Sequence, residues 1–220
     1  MTTMKQAQVT ITGSTPLLVH ADNIEWSDRM EEWKNDPKNK KLSKPGDDRT
    51  PPWRWIGCLN HDGKVLTMPS EYIMRTIMEG ATQVPTGKGQ KTFKAQSQSG
   101  LLCQDFHWPL LVRGKTVSFG DVSALIDDEI KFRDQIEQVR TFGFELFIKR
   151  AKIGQSKHIR VRPRFEEWSC SGIITIIDSQ ITMELLQQFL EIAGQYKGLG
   201  DWRPGAKTPG PFGMFTAQVT

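Results

Sequence analysis

An α+β fold, with one antiparallel sheet carrying two helices, is predicted by three stretches of this sequence. Gln6–Thr12 (QAQVTIT) alternates, with Ala7, Val9 and Ile11 on one face, which is the period-two pattern of a half-buried strand. After Pro69, residues Ile73, Ile77 and Gly80 recur at helical spacing, and Met74 and Met78 widen the apolar stripe. Thr182–Ala193 is a second amphipathic helix with Leu185, Leu186, Phe189, Leu190, Ile192 and Ala193 on its apolar face. It leads towards the alternating MFTAQV of Met214–Val219, a last strand.

The other elements follow in chain order. Gly13–Pro16 breaks the first strand, and Leu17-Leu18-Val19 resumes a short apolar run. Asp22–Pro52 is mostly polar, with Lys38, Lys40, Lys41 and Lys44 clustered between Pro37 and Pro45. Its front part suits a short helix with Ile24, Met30 and Trp33 on one side, and the rest reads as an exposed loop. Trp55–Met68 reads as a hairpin: Ile56–Leu59 and Val65–Thr67 flank Asn60-His61-Asp62-Gly63, whose Asp-Gly suits a turn. Ser70 is the expected N-cap of the first long helix and Thr182 that of the last, which Gly194 would end. Between them lie a loop (Thr82–Ser99), an apolar stretch of one or two strands (Leu101–Val112), an acidic stretch (Asp121–Asp134) and alternating Phe142, Phe144 and Leu146. A basic stretch (Lys149–Arg164) and an apolar strand (Gly172–Ile177) complete the series. The chain is read as a single domain of 220 residues, with insertions at about 21–60 and 81–170.

Composition sets limits on function. The formal net charge of +4 favours a polyanion over a polycation as partner. Cys58, Cys103 and Cys170 are odd in number and have no metal-ligand spacing, so they read as reduced thiols of a cytoplasmic protein, from a bacterium or a virus-infected cell. No apolar run has the length of a signal sequence or a membrane span, so no membrane partner is expected. The four histidines, His20, His61, His107 and His158, have no ligand partner at local spacing, and no metal or other cofactor is expected. Thr86–Thr92 (TGKGQKT) lacks the spacing of a phosphate-binding P-loop, since Gln90 and not glycine precedes Lys91.

Two motifs point to nucleic acid. The first is Gly198-Leu199-Gly200-Asp201-Trp202-Arg203-Pro204-Gly205, followed by Pro209-Gly210-Pro211-Phe212-Gly213. Gly198, Gly200, Gly205 and Gly213 let backbone approach a phosphate chain, Arg203 offers a fork for phosphate, and Trp202 offers a face for a base. A turn-rich connection with Trp202 packed on the core accounts for the same residues. The second is Arg160, Arg162 and Arg164, which alternate and so share one face of a strand, spaced by ~7 Å, near the interval of a phosphate backbone. A charged, Pro163-protected strand edge is the alternative. Trp26, Trp33, Trp53 and Trp55 read as packing anchors, with Trp53-Arg54-Trp55 as a strand that places two indoles on one side.

A helix, a GLGDWRPG…GPFGMF loop and a terminal strand resemble the carboxy-terminal end of the RAMP superfamily of CRISPR-associated RNA-binding proteins. Val9–His20 (VTITGSTPLLVH) resembles the opening strand of that superfamily, and both ends are also similar to a group of small uncharacterised phage and prophage proteins. The resemblance implies a ferredoxin-like, RNA-recognition-motif-like core. It also implies non-enzymatic binding of single-stranded RNA or DNA, in multiple copies along the strand or within a multi-subunit ribonucleoprotein. RNA-cleaving members carry a histidine soon after the first strand, which makes His20 the candidate of an alternative reading, a metal-independent endoribonuclease. A protein-binding adaptor that uses the same loop is the third reading.

Overall fold

The structure, a computed structural model, describes residues 4–220. Its elements run β1 (Lys5–Gly13), β2 (Leu17–Leu18), α1 (Ile24–Asn35), β3 (Thr67–Pro69), α2 (Ser70–Ala81), α3 (Lys94–Ser99), β4 (Leu101–Cys103), β5 (His107–Val112) and β6 (Lys115–Thr116). They continue with α4 (Phe119–Ser123), α5 (Phe132–Thr141), β7 (Glu145–Ile153), β8 (Ser156–Phe165), β9 (Trp168–Ile176), α6 (Met183–Tyr196) and β10 (Phe215–Val219). The chain divides into two compact units. The first holds the segment ending at Leu17, Thr67–Thr116 and Glu166–Thr220; the second holds Leu18–Leu66 and Val117–Phe165.

In the first unit the strand order is β10-β1-β9-β5, with every neighbouring pair antiparallel. With α2 between β1 and β5, and α6 between β9 and β10, this is the split β-α-β order of a ferredoxin-like fold, as the two ends of the sequence predict. β3 extends the sheet beyond β5, while β4 and β6 pair with β9 and β5. Alternation explains the layering. Ala7, Val9 and Ile11 point into a core shared with Trp108, Leu110, Ile174 and Phe189, all fully or nearly fully buried. Each such side chain of Val size or larger contributes roughly 1.5–3 kcal/mol. The other face of β1, β9 and β10 exposes hydroxyls and amides: Gln8, Thr10, Thr12, Ser171, Thr216 and Gln218.

The helices follow the sequence with two adjustments. Thr182 caps α6 by accepting the Leu185 N–H at 3.2 Å. Gly194 does not end α6. It lies inside the helix, where a Cβ would strike the Phe215 carbonyl, and the turn is completed at Gly198, which is left-handed at φ +69° and donates to the Ala193 carbonyl at 2.8 Å. Ser70 is the first residue of α2; Pro69 occupies the N-cap position, with no side-chain cap bond.

The second unit is organised by a long hairpin. β7 and β8 pair from Glu145↔Arg164 to Ile153↔Ser156 around Gly154-Gln155, with Gly154 at φ +58°. β2 lies on the other side of β8. Phe144, Phe165 and Trp55 form its aromatic centre, with ring centroids 4.9 Å apart for Phe144–Phe165 and 6.0 Å for Trp55–Phe144. The acidic stretch supplies acceptors for the indoles: Trp33 and Trp53 both donate to Asp128 Oδ1, at 2.9 and 2.7 Å. Trp55 donates at 2.7 Å to Gln135, which is itself fully buried.

The region expected as a hairpin at Trp55–Met68 takes a different form. Arg54–Cys58 is a 3-10 turn, and only the bridge His61↔Leu66 remains of the pairing. The reason is packing. Trp53 and Trp55 are both buried, and the Trp26 indole lies so close on Gly57 that a Cβ there would overlap its ring. The indoles of Trp53-Arg54-Trp55 therefore do not share a strand face. Nor is the lysine-rich loop wholly exposed, because Asp47 and Asp48 are buried and the loop bonds to β8 through Asp48 N–H to Ile159 O at 3.0 Å and Ile159 N–H to Gly46 O at 2.7 Å.

Candidate nucleic-acid interface

β8 sorts its side chains as alternation requires. Val161, Pro163 and Phe165 are buried, and Arg160, Arg162 and Arg164 occupy the opposite face. The arginines are held by acids of the same unit. Arg164 meets Glu145 at 2.8 Å, while Arg160 and Arg162 converge on Asp48 at 3.3 and 3.0 Å. Arg162 is mostly covered, its Nη1 also donating to the Val161 carbonyl at 2.8 Å. Towards the hairpin tip the ribbon exposes Lys149, Arg150, Lys152 and Lys157. Along the whole of β7 and β8, Glu145 is the only acid.

A cavity of about 250 Å³ opens in this unit, lined by His20, Trp26, Asp48, Arg54, Arg160 and Arg162, among others. It brings His20 together with two of the three alternating arginines. Asp48, Arg54 and Trp26 are members that sequence reasoning did not select. The one signal for Asp48 was an Asp-Asp pair inside a lysine-rich stretch.

The glycine-rich loop belongs to the first unit. Gly198, Gly200 and Gly213 adopt φ of +69°, +79° and +74°, but Gly198 and Gly213 are buried, so their freedom serves close packing inside the loop. At Gly213 a Cβ would overlap the Leu199 carbonyl. Gly205, by contrast, is exposed and has no positive φ. Arg203 makes a two-pronged pair with Glu79 of α2, at 2.8 and 2.9 Å, and also donates to the Lys197 carbonyl at 3.0 Å. Burial pushes the Glu79 carboxyl up, but hydrogen bonds and charge from Arg203 and Arg75 outweigh it and hold the group below its ordinary value. Trp202 sits at φ +46°, donates from Nε1 to the Pro209 carbonyl at 3.1 Å and lies 5.6 Å from Phe212. Beside the loop a hollow of about 110 Å³ is lined by Tyr72, Arg75, Thr76, Leu199, Gly200 and Arg203. Arg75 and Tyr72 complete this rim and lay outside the sequence motif.

The remaining chemistry is sparse. Cys58, Cys103 and Cys170 are thiols outside any disulfide, and burial pushes the Cys170 thiol up to about 12. Among the described residues no group of three or more His, Cys, Asp or Glu is placed to hold a metal ion, and no helix is long and apolar enough to cross a membrane.

No family model matches this chain, and no curated protein matches it in sequence. Among solved structures the chain is similar to the crystal structure of Cmr6 from Pyrococcus furiosus, at 10% identity and a TM-score of 0.42, over 99% of this chain and 100% of that one.

Proposed function

We propose that this chain is a non-enzymatic binder of single-stranded nucleic acid that engages the phosphate backbone with its basic β7–β8 ribbon. The observation that carries this is the concentration of exposed Lys149, Arg150, Lys152 and Lys157 on one two-stranded ribbon whose own strands hold a single acid; Arg150, Lys152 and Lys157 share one face of it. Side chains two residues apart on a strand recur at ~7 Å, near the interval between phosphates. In the first unit, taken by itself, Gly200, Gly205, Trp202 and Arg203, with Arg75 and Tyr72, form a candidate contact for single-stranded nucleic acid, shaped by buried Gly198 and Gly213. The likeness of this loop to the RAMP superfamily favours RNA as the strand, bound by several copies side by side within a ribonucleoprotein.

The test is a salt titration of oligouridine and oligothymidine binding by fluorescence anisotropy. Replacing Arg150, Lys152 and Lys157 together with glutamine weakens binding and lowers the slope of log K against log salt by about 2, at ~0.7 per lost phosphate contact. An unchanged slope and affinity in the triple variant would sink the ribbon reading.

One observation favours a second reading. His20 opens onto the cavity that holds Arg54, Arg160 and Arg162, so an imidazole stands near guanidiniums able to steady a scissile phosphate. That reading requires cleavage of RNA and not of DNA in the presence of a chelator, and its loss in His20→Ala. Intact RNA after prolonged incubation with wild-type protein removes it.

A further inference from the structure

Asp48 lies at the centre of a cluster whose positive charge exceeds what it neutralises. Its side chain is only 4% exposed, and three guanidiniums approach it: Arg54 and Arg160 at 3.3 Å on Oδ1, Arg162 at 3.0 Å on Oδ2. One carboxylate faces three cations, and Arg54 and Arg160 alone already outnumber it, so the cluster is net positive. The other ionised residues that line the cavity, Lys34 and Asp22, cancel each other. Like charges held this close repel, and partial burial strengthens the repulsion by lowering the local dielectric.

The three arginines differ in what they have left to give. Arg162 is 11% exposed, with Nη1 committed to Asp48 and the Val161 carbonyl. Arg54 and Arg160 keep about a third of their side-chain surface, 32% and 33%, and both line the cavity. A guanidinium carries five N–H donors in a fork that matches the oxygens of a phosphate. The half-buried Trp26 lines the same cavity, its N–H donated to the Arg54 carbonyl at 3.3 Å. The volume of about 250 Å³ lies just below the ~300 Å³ lower bound of small-molecule sites, a size that suits a ligand on the scale of one nucleotide.

We propose that this cavity binds a phosphomonoester dianion, the terminal phosphate of a strand or of a free mononucleotide, with Arg54 and Arg160 on the phosphate and Trp26 against the base. The charge decides between phosphate types. A phosphodiester inside a strand carries one negative charge, whereas a monoester above its second pKa of about 6 carries nearly two and is drawn more strongly to a net-positive cluster. This site is separate in its chemistry from backbone binding by the ribbon tip, and the two fail independently.

Calorimetry on the wild-type protein at pH 7.5 uses adenosine monophosphate, its methyl phosphodiester and adenosine, and then hexanucleotides with a 5′-phosphate, a 3′-phosphate or hydroxyls at both ends. Adenosine monophosphate binds more tightly than its methyl ester, adenosine does not bind, and at least one phosphorylated end improves hexanucleotide affinity by about tenfold. An effect seen with the mononucleotide alone identifies a free nucleotide as the ligand, and one seen in the hexanucleotides identifies a strand end. Arg54→Gln abolishes the preference, and Lys115→Gln on β6 of the first unit retains it; should Arg54→Gln melt early, Arg160→Gln, which removes one positive charge together with the fork, takes its place. Wild-type protein indifferent to every phosphomonoester overturns the proposal, as does a preference that survives in a folded Arg54 or Arg160 variant. Weak binding of the hydroxyl-ended hexanucleotide counts against the ribbon and leaves the cavity standing.

Discussion

Arg203 and Glu79 face each other as a two-pronged ion pair, Nη1 to Oε2 at 2.8 Å and Nη2 to Oε1 at 2.9 Å, joining the glycine-rich loop to helix α2 across 124 residues of sequence. The arginine is 12% exposed and the glutamate 26%, so removing either partner leaves a poorly solvated charge behind. Arg203→Ala and Glu79→Ala should each cost about 2 kcal/mol of stability, measured by denaturant unfolding, and the double variant should cost less than the sum. Additive losses would show that the two charges do not support each other.

The same pair sets an acid limit. Glu79 has a folded-state pKa below its ordinary 4.5, so its contribution to stability is fully present above that value and fades as pH falls through the folded pKa. Melting temperature measured from pH 7 down to pH 3 should therefore fall less steeply in Glu79→Gln than in wild type below about pH 4.5. Parallel curves would mean that the carboxylate gains nothing from its arginines.

Gly213 tests how far the loop depends on close packing. Its φ of +74° disfavours any side chain, and a Cβ would also overlap the Leu199 carbonyl. Gly154, at the tip of the β7–β8 hairpin, has φ +58° and nothing within 4 Å of a Cβ. Gly154→Ala should cost about 1 kcal/mol from backbone strain alone, and Gly213→Ala clearly more, since the backbone of Leu199 must also move. Equal losses in the two variants would mean that the loop yields without resistance.

Gln135 is fully buried, accepts from Trp55 Nε1 at 2.7 Å and donates to the Leu125 carbonyl at 2.9 Å. Gln135→Leu has nearly the same volume but strands one donor and one acceptor, a loss of about 2–4 kcal/mol. Gln135→Glu keeps the acceptor for the indole but abandons Leu125, and places a charge in a fully buried site. It should be at least as damaging at pH 7, and the deficit should shrink in mild acid as the carboxyl takes up a proton. Unfolding transitions of both variants at two pH values check this.

What could be read from the sequence depended on the range of the cause. β1, α2, α6 and β10 each bury one face and wet the other, so periods of two and 3.6 residues reveal them locally, and their order suffices for the split β-α-β core. The run Ile56–Leu59 carried a strand pattern of the same local kind. It was overruled because Trp26, some thirty residues earlier, packs on Gly57 and takes the chain into a 3-10 turn. The arginines of β8 were legible as a row by alternation. That Asp48 gathers two of them lies in a separation of 112–114 residues, which no window of sequence contains. Arg203 shows the same gap: GDWRPG reads equally well as a phosphate fork or a structural clasp until Glu79 is seen opposite it.

Trp202 is where the two accounts of the loop part. Its φ of +46° is costly for a bulky residue, its Nε1 is engaged by the Pro209 carbonyl, and its ring packs near Phe212 and over Gly210, where a Cβ would overlap it. Those features belong to a ring that folds the loop on itself. The ring is nevertheless only half-buried, which leaves part of it for a base to stack on. Trp202→Ala therefore removes packing and stacking together, and the two are separated by measuring stability and affinity on the same variants. Stacking on an exposed ring is worth roughly 1–3 kcal/mol of binding. If the ring serves the strand, Trp202→Phe should retain most of the affinity for a single strand, because it keeps a stacking face although it loses the Pro209 bond, while Trp202→Ala in a folded protein should lose ~10-fold or more. If the ring serves only the loop, both variants should melt earlier and bind oligonucleotides as tightly as wild type once folded, which would remove Trp202 from the interface and leave the β7–β8 ribbon to carry the binding.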